Sequence, residues 1–156
     1  MPVKRLVSLA RKTCCLLFAC FLIAAFGLFL RGHTLDRQSR EFADQSAWVV
    51  LMSWNQQDLR DRGAARFLAA DQDGEIDRMF GGWRKLGELQ RYDGSTGRAD
   101  VTTTAAGTLV TANYTGTAEF SRGNALIKIA LIEEDGAWRV LGFGVYPGKT
   151  PQVSSH

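Results

Sequence analysis

The sequence predicts an α+β protein: an N-terminal transmembrane helix, then two to three helices packed on one face of a curved antiparallel sheet of about four strands. Three observations support this. An apolar run fills residues 14–30, and apolar residues then recur at helical spacing up to residue 87. After residue 90, glycines separate runs rich in Thr, Val, Ile and Tyr. Helices followed by strands are typical of α+β folds.

The N-terminal run, CCLLFACFLIAAFGLFL, predicts a membrane anchor. As a helix it spans about 26 Å, slightly less than a bilayer core of roughly 30 Å, and the flanking Lys12 and Arg31 can reach the interfaces. Basic residues and no acid precede the run, so the positive-inside rule keeps residues 1–13 in the cytoplasm. We therefore predict a single-pass inner-membrane protein with a periplasmic C-terminal domain.

Two alternatives for this segment stay open. A cleaved signal peptide could use the small residues of Ile23-Ala24-Ala25 or Ala25-Phe26-Gly27, although Leu28-Phe29-Leu30 continues the apolar run past both sites. A lipoprotein could use Leu17-Phe18-Ala19-Cys20, which resembles a lipobox, although the residues that follow it are also apolar. An uncleaved anchor over residues 14–30 fits best.

Charge and cysteine usage differ between the anchor and the rest of the chain. The first 31 residues hold five of the 19 basic residues and none of the 16 acidic ones, so the remainder, with 14 basic and 16 acidic residues, carries a net charge of −2. Such a domain lacks the basic surface that nucleic acid requires. The cysteines, Cys14, Cys15 and Cys20, all lie in the apolar run, which predicts a domain without disulfides.

After a short hinge, residues 31–34, an exported domain is predicted over residues 35–147. Thr34 or Asp36 caps its first helix. The apolar stripe of that helix is expected to comprise Phe42, Trp48, Val49 and Met52, with Leu59 as a further candidate. A shorter helix is predicted around residues 64–68. A third, capped by Asp73, ends at Gly87 and has as apolar positions Ile76, Met79, Phe80, Trp83 and Leu86.

Four strands are predicted, at residues 98–105, 108–120, 125–134 and 138–146, with turns at residues 121–124 and 134–136. Alternation in the second strand places one set of residues on the face towards the helices: Val110, Ala112, Tyr114, Ala118 and Phe120. The other face is rich in Thr and Asn and meets water or a partner. Gly116 predicts a bulge or bend, and residues 148–156 are predicted to form a flexible tail.

Three segments resemble a known superfamily: the Ser53-Trp54-Asn55 exit from a long helix into a second short one, the Phe80–Gly87 helix end, and the closing Asp135–Phe143 hairpin. Through them, residues 35–146 resemble the nuclear-transport-factor-two-like superfamily of cystatin-like α+β cones, especially small membrane-anchored bacterial envelope members of uncharacterised function. That superfamily includes isomerases, dehydratases, transport adaptors and secretion-system scaffolds, so the resemblance implies a fold rather than one activity.

Enzymes of this superfamily use an ionisable pair in the mouth of the cone. The resemblance makes four residues candidates for inward polar positions: Asp100, Tyr114, Lys128 and Tyr146. Strand periodicity instead favours a solvent-facing Lys128, and Arg98 is a surface ion-pair partner for Asp100. His33 and His156 lie at the hinge and the terminus. We predict no catalytic residue and lean away from an enzyme.

The acids Asp71, Asp73, Glu75 and Asp77 invite a calcium interpretation. The calcium loop needs Gly at its sixth position and Glu at its twelfth, whereas here Gly74 is fourth and Gly82 is twelfth. Helix capping explains these acids better, so we predict no metal and no cofactor.

The four tryptophans, Trp48, Trp54, Trp83 and Trp138, are predicted to be core residues, with a hydrophobic ligand groove as the alternative. For such a pocket the predicted ligand-binding residues are Trp54, Trp83, Tyr114 and Tyr146. The function predicted is a non-enzymatic, membrane-anchored interaction or scaffold domain of the bacterial envelope that works through its sheet face. Its partners are the membrane and either a second copy or an envelope complex. The alternatives are a binder of a small hydrophobic ligand and an isomerase- or dehydratase-like enzyme.

Overall fold

The computed structural model describes residues 34–71, 74–105 and 107–148. The predicted cytoplasmic tail, transmembrane helix and most of the predicted hinge lie outside these residues, as does the predicted flexible tail beyond Gly148. Within the described residues, no helix is both long enough and apolar enough to cross a membrane. The predictions for the N-terminal segment therefore stay predictions.

Four α-helices precede the sheet in the described part of the chain. α1 covers residues 34–53, and the others are α2 (Gln56–Arg60), α3 (Ala65–Ala70) and α4 (Glu75–Trp83). A 3₁₀ turn, Arg84–Leu86, follows α4 directly and ends at Gly87, as predicted. Two to three helices were predicted for this part of the chain, and the structure has four.

A left-handed residue separates α1 from α2. Trp54 has a φ of 47°, so α1 ends there although neither glycine nor proline marks the site. The side chain of Asn55 then accepts a hydrogen bond from the amide of Gln57 at 3.0 Å and caps α2. Leu59 is therefore a fully buried residue of α2 and not part of the α1 stripe. The predicted exit into a second short helix is confirmed.

The sheet is an antiparallel meander with strand order β1-β2-β3-β4. Its strands are β1 (Leu89–Thr104), β2 (Gly107–Phe120), β3 (Gly123–Glu134) and β4 (Ala137–Pro147). The bounds of the last three lie close to the prediction, whereas β1 begins at Leu89 rather than at residue 98. Asp135 and Gly136 have φ values of 53° and 76°, as the predicted tight turn between β3 and β4 requires.

A bulge in β1 explains the earlier start of that strand. The pairing with β2 shifts between Tyr92 and Ser95, and Gly94 has a φ of 79°. Gly116 on β2 pairs with Ser95. A Cβ atom at Gly116 would lie 2.7 Å from the carbonyl oxygen of Gly94 and 3.0 Å from the ring of Tyr92, so the glycine leaves the space that the β1 bulge occupies. The bulge or bend predicted at Gly116 is therefore a bulge on the neighbouring strand β1, opposite Gly116.

One face of the sheet packs against the helices and forms the core, as the alternation in β2 predicted. Each large apolar side chain buried there contributes about 1.5–3 kcal/mol of transfer free energy. The strands supply Ala112, Tyr114, Ala118, Phe120, Ile127, Ile129, Leu131, Val140, Phe143 and Val145, and α4 supplies Ile76, Phe80 and Trp83. The chain is therefore an α+β protein with helices packed against a curved antiparallel four-stranded sheet.

The predicted apolar stripe of α1 is wrong for Trp48 and Met52, whereas Phe42 packs partly against the core. Trp48 and Met52 are 50% and 55% exposed, and the buried face consists of mostly small residues: Ser39, Ala43, Ser46, Ala47, Val50 and Leu51. Small side chains let the helix lie close to large side chains on the sheet, such as Tyr114, whose hydroxyl contacts that of Ser39. Packing against the sheet, rather than the bulk of each residue, decides which face of α1 is buried.

Candidate functional site

Trp83, one of the four predicted ligand-binding residues, is a core residue. It ends α4 and is 7% exposed. Its ring centroid lies 5.1 Å from that of Phe80 and 5.8 Å from that of Phe143, both with tilted rings. Aromatic pairs at these separations stabilise a core. The side chain joins α4 to β4 and is not open to a ligand.

Trp54 lies at the corner between α1 and α2. Its indole N–H donates a hydrogen bond of 2.9 Å to the carbonyl of Gly87, and its ring stacks on that of Phe120 at 5.4 Å. The guanidinium of Arg84 donates to the carbonyl of Trp54 at 3.0 Å. These contacts tie the helical layer to the beginning of β1 and the end of β2, so the polar edge of Trp54 already has a protein partner.

Tyr114 is the large side chain at the centre of β2 and is 2% exposed. Its hydroxyl donates to the carbonyl of Asp36 at 3.1 Å and shares a 2.8 Å hydrogen bond with the hydroxyl of Ser39. Burial raises the pKa of the phenol above its ordinary value. Tyr114 thus points inward, as expected, but its hydroxyl binds α1 and not an open cavity.

Tyr146 lies on the opposite, outer face of the sheet and is 53% exposed. Its ring covers Gly144, where a Cβ atom would come within 2.7 Å of a ring carbon. The ammonium group of Lys128 lies 5.3 Å from the ring centroid, which is a cation–π distance. The glycine on β4 is therefore what allows the ring to lie across the sheet towards Lys128.

These residues border a depression of about 470 Å³ on the outer face, which we name the outer-face depression. It is lined by Asn113, Tyr114, Thr115, Lys128, Ile129, Ala130, Gly142, Phe143, Gly144 and Tyr146. The depression exists because the residues at its base on β3 and β4 are small, namely Ala130, Gly142 and Gly144. The described lining includes one ammonium group and no carboxylate. The side chain of Tyr146 borders the depression, whereas the inward-pointing Tyr114 adjoins it only through its position on β2. Neither Trp54 nor Trp83 is part of the lining, so the four predicted ligand-binding residues do not form one site.

Of the four candidates for inward polar positions, only Tyr114 points inward. Asp100, Lys128 and Tyr146 are exposed. The carboxylate of Asp100 pairs with the guanidinium of Arg98 at 3.3 Å on the surface, as the alternative interpretation predicted. Strand alternation places Lys128 outward, opposite the buried Ile127 and Ile129.

The acids before α4 serve the fold. One oxygen of Asp71 accepts a hydrogen bond from the amide of Ile76 at 3.0 Å, and the other pairs with Arg60, which also contacts Asp77 at 3.3 Å. The Ile76 amide and Arg60 hold the pKa of Asp71 below its ordinary value. The predicted cap, Asp73, lies outside the described residues. Among the described residues, no group of three or more His, Cys, Asp or Glu side chains is placed to hold a metal ion.

The four tryptophans do not form a box. Trp54 and Trp83 belong to or border the core, and Trp138 packs partly against it while lining a separate cavity of about 380 Å³. Trp48, in contrast, is on the surface of α1 and lines a groove of about 610 Å³ between α1 and the β1 bulge. The core prediction therefore holds for Trp83 and is wrong for Trp48.

Sequence reasoning missed this α1–β1 groove. Asp44 lies in it, and one carboxylate oxygen, Oδ1, accepts hydrogen bonds from the hydroxyls of Tyr92 at 2.9 Å and Ser95 at 2.7 Å. Burial and the Asp44 carboxylate raise the pKa of Tyr92, which keeps the phenol protonated as a donor. The Asp93-Gly94 pair was a local sign of an irregularity in β1, but nothing in the sequence linked it to Asp44.

Arg62 lines the same groove, and its backbone is fixed by β4. The amide of Val140 donates to the carbonyl of Arg62, and the amide of Ala64 donates to the carbonyl of Val140, each at 2.8 Å. This pairing covers part of the β4 edge.

The chain matches no protein-family model, no curated protein and no solved structure.

Proposed function

We propose that the chain is a non-enzymatic, membrane-anchored interaction domain of the bacterial envelope, and that it binds a partner protein that places a carboxylate in the outer-face depression. The observation that carries this proposal is the lining of the depression, where the ammonium group of Lys128 lies beside the exposed ring of Tyr146 and no described lining residue is acidic. Charge complementarity then favours an acidic group on the partner.

The residues around the depression suit contact with a protein partner better than contact with water alone. Leu126 and Tyr146 are 37% and 53% exposed on neighbouring strands and pair with each other across the β3–β4 ladder. Tyr offers a large contact area with few rotatable bonds, which favours its use in interfaces. Thr115 and Asn113, both exposed, add hydrogen-bonding groups on β2.

The proposal also includes membership of the nuclear-transport-factor-two-like superfamily and the anchor over residues 14–30. The order of elements, helices first and then a curved antiparallel meander, supports the first. The hydropathy and the basic flanks of the N-terminal segment support the second. Together they imply an inner-membrane location with the α+β domain in the periplasm.

The two alternatives have less support. A hydrophobic ligand in the cone would compete with Phe80, Trp83 and Tyr114, whose side chains occupy the interior. An isomerase- or dehydratase-like enzyme was expected to use Asp100 with Tyr114. Asp100 is exposed and paired with Arg98, and the hydroxyl of Tyr114 is bonded to α1.

Site-specific photo-crosslinking of the full-length chain in cell membranes tests the sheet-face interaction. A photoreactive residue at Thr115, beside Lys128 on the paired strand, should form an adduct with a partner protein. The same residue at Glu75, exposed at the beginning of α4, is the control and should not. Lys128→Glu should abolish the Thr115 adduct by charge reversal. Equal adducts at both positions, or a chain recovered alone and monomeric from solubilised membranes, would contradict the proposal.

Topology is tested separately. Alkaline phosphatase fused after His156 should be active, because the enzyme requires export, and a green fluorescent protein fused at the same site should be dark. The intact chain should remain in the membrane fraction. An intact chain in the cytosolic fraction would remove the anchor from the proposal.

A further inference from the structure

The α1–β1 groove contains a carboxylate with one oxygen held and one oxygen available. Both hydroxyl donors of the site, Tyr92 and Ser95, bond to Oδ1 of Asp44. No described residue donates a hydrogen bond to Oδ2. Gly94 lies next to Oδ2 and has no side chain of its own to cover it; a Cβ atom there would be 3.8 Å from this oxygen. The carboxylate is thus oriented in advance for an external donor.

The same groove contains an indole. Trp48 follows Asp44 by four residues on α1, so the two side chains lie on neighbouring turns of the same helical face. Trp48 is half exposed and lines the groove, and Met52, one turn further along α1, is also exposed. A carboxylate and an indole that line one groove offer an ammonium group charge-assisted hydrogen bonds and a cation–π interaction.

The groove also offers a cation. The guanidinium of Arg62 donates from one nitrogen, Nη1, to the carbonyl of Asp58 at 2.9 Å. Arg62 forms no ion pair with a carboxylate in the described part of the chain, which leaves the rest of its five N–H donors for an anion. The other lining acid, Asp93, is already engaged by Arg91 at 3.0 Å and by the hydroxyl of Thr117 at 3.3 Å.

We propose that the α1–β1 groove binds a small zwitterionic group, with a primary ammonium at Asp44 and Trp48 and a phosphate or carboxylate at Arg62. A primary ammonium suits the site better than a quaternary one, because only an N–H group can donate to Oδ2. This chemistry occurs in a free aminoalkyl phosphate and in the ethanolamine headgroup of a phospholipid. The site is on the helical side of the molecule and is independent of the partner proposed for the outer-face depression.

Isothermal titration calorimetry with O-phosphoethanolamine tests this inference on the full-length chain in a maltoside detergent. We expect saturable binding of O-phosphoethanolamine. Ethylamine alone and inorganic phosphate alone should each bind at least about tenfold more weakly, because each lacks one charged contact. Trp48→Ala and Asp44→Asn should each weaken binding by about tenfold. Arg62→Gln should weaken binding of O-phosphoethanolamine and leave that of ethylamine unchanged.

Arg66→Gln is the matched control, because Arg66 is exposed on α3 and does not line the groove, and it should bind as the unmodified chain does. Asp44→Asn could perturb the fold through Tyr92 and Ser95, so the exposed Trp48→Ala variant decides the result if the first unfolds. Nanodiscs distinguish a phospholipid headgroup from a free aminoalkyl phosphate. If the groove reaches lipid headgroups, phosphatidylethanolamine discs should compete with O-phosphoethanolamine and phosphatidylglycerol discs should not. If it binds only the free compound, neither kind of disc should compete. No saturable binding, or binding unaffected by Trp48→Ala, would overturn the inference.

Discussion

β2 and α1 contact each other across the core but contribute to it in opposite ways. β2 turns its largest side chains inward, with Tyr114 and Phe120 buried, and leaves Thr115 and Thr117 outside. α1 turns small residues such as Ala43 and Ala47 inward and leaves Trp48 exposed. The large side chains of β2 thus fill the space between the two elements, and the small side chains of α1 let the helix lie close to the strand. One consequence is that Trp48 and Met52 of α1 remain on the surface, where Trp48 lines the α1–β1 groove.

Tyr114→Ala should have the largest effect on the β2 side of this contrast. Removing a fully buried aromatic ring leaves a cavity, and the expected loss in free energy of unfolding is about 3–5 kcal/mol. Thr115→Ala, on the outer face of the same strand, should stay within about 0.5 kcal/mol. Urea unfolding followed by tryptophan fluorescence measures both. Similar losses for the two variants would show that the faces of β2 do not differ in this way.

Ala47→Leu tests the close approach of α1. Ala47 is fully buried, so the added methyl groups must displace the sheet or the helix, and we expect a loss of about 1–3 kcal/mol. Met52→Ala is the control on the exposed side of α1 and should change stability by less than about 0.5 kcal/mol. If Met52→Ala proves the more costly of the two, the buried and exposed faces of α1 are assigned wrongly.

Ser46→Ala should increase stability. Ser46 is fully buried on α1, and its hydroxyl has no hydrogen-bond partner among the described residues. A buried hydroxyl without a partner costs free energy, and alanine also favours the helix, so the expected gain is about 1 kcal/mol. Ser39→Ala is the contrasting variant, because the hydroxyl of Ser39 contacts that of Tyr114, and it should lose stability. Chemical denaturation of both variants decides whether the hydroxyl of Ser46 is unsatisfied.

The smallest expected effect is on the pH dependence of stability, through the phenol of Tyr114, which lies beneath α1. Burial raises its pKa above the ordinary value of 10.0, so the unfolded chain releases this proton at lower pH than the folded chain does. The resulting stability is fully present below about pH 10 and declines as pH rises through the folded pKa. Tyr114→Phe should make the decline shallower, and so should Tyr92→Phe, whose phenol pKa is also raised. Denaturation midpoints measured between about pH 9 and 11, about one unit either side of the ordinary value, would fall with the same slope in the variants and the unmodified chain if neither phenol were buried.

Much of the sheet was predictable because its signals are local. Alternation decides the two faces of β2, and Asp135-Gly136 supplies the positive φ angles that a tight hairpin needs. The start of β1 was predicted too late because Gly94 is part of a bulge and does not end the strand. The α1–α2 break was predicted through the resemblance and not from local residue preferences, since Trp54 is an unusual residue for a left-handed conformation.

The site was less predictable than the fold. Periodicity placed Lys128 on the solvent side correctly, but no pattern along the chain predicted that Gly144 would let Tyr146 lie towards it. Asp44 and Tyr92 are far apart in sequence, and their hydrogen bond depends on how α1 crosses the β1 bulge. Such contacts leave no local signal because neither residue type is unusual where it stands.

The sequence by itself determined the α+β class, the number of strands, the faces of β2 and the turn after β3, because backbone preferences and two-residue alternation act over a few neighbouring residues. Only the tertiary structure decided which face of α1 is buried and which polar groups meet in the groove. A helix carries both large and small residues on its surface, and the shape of the sheet beneath it selects which of them fit.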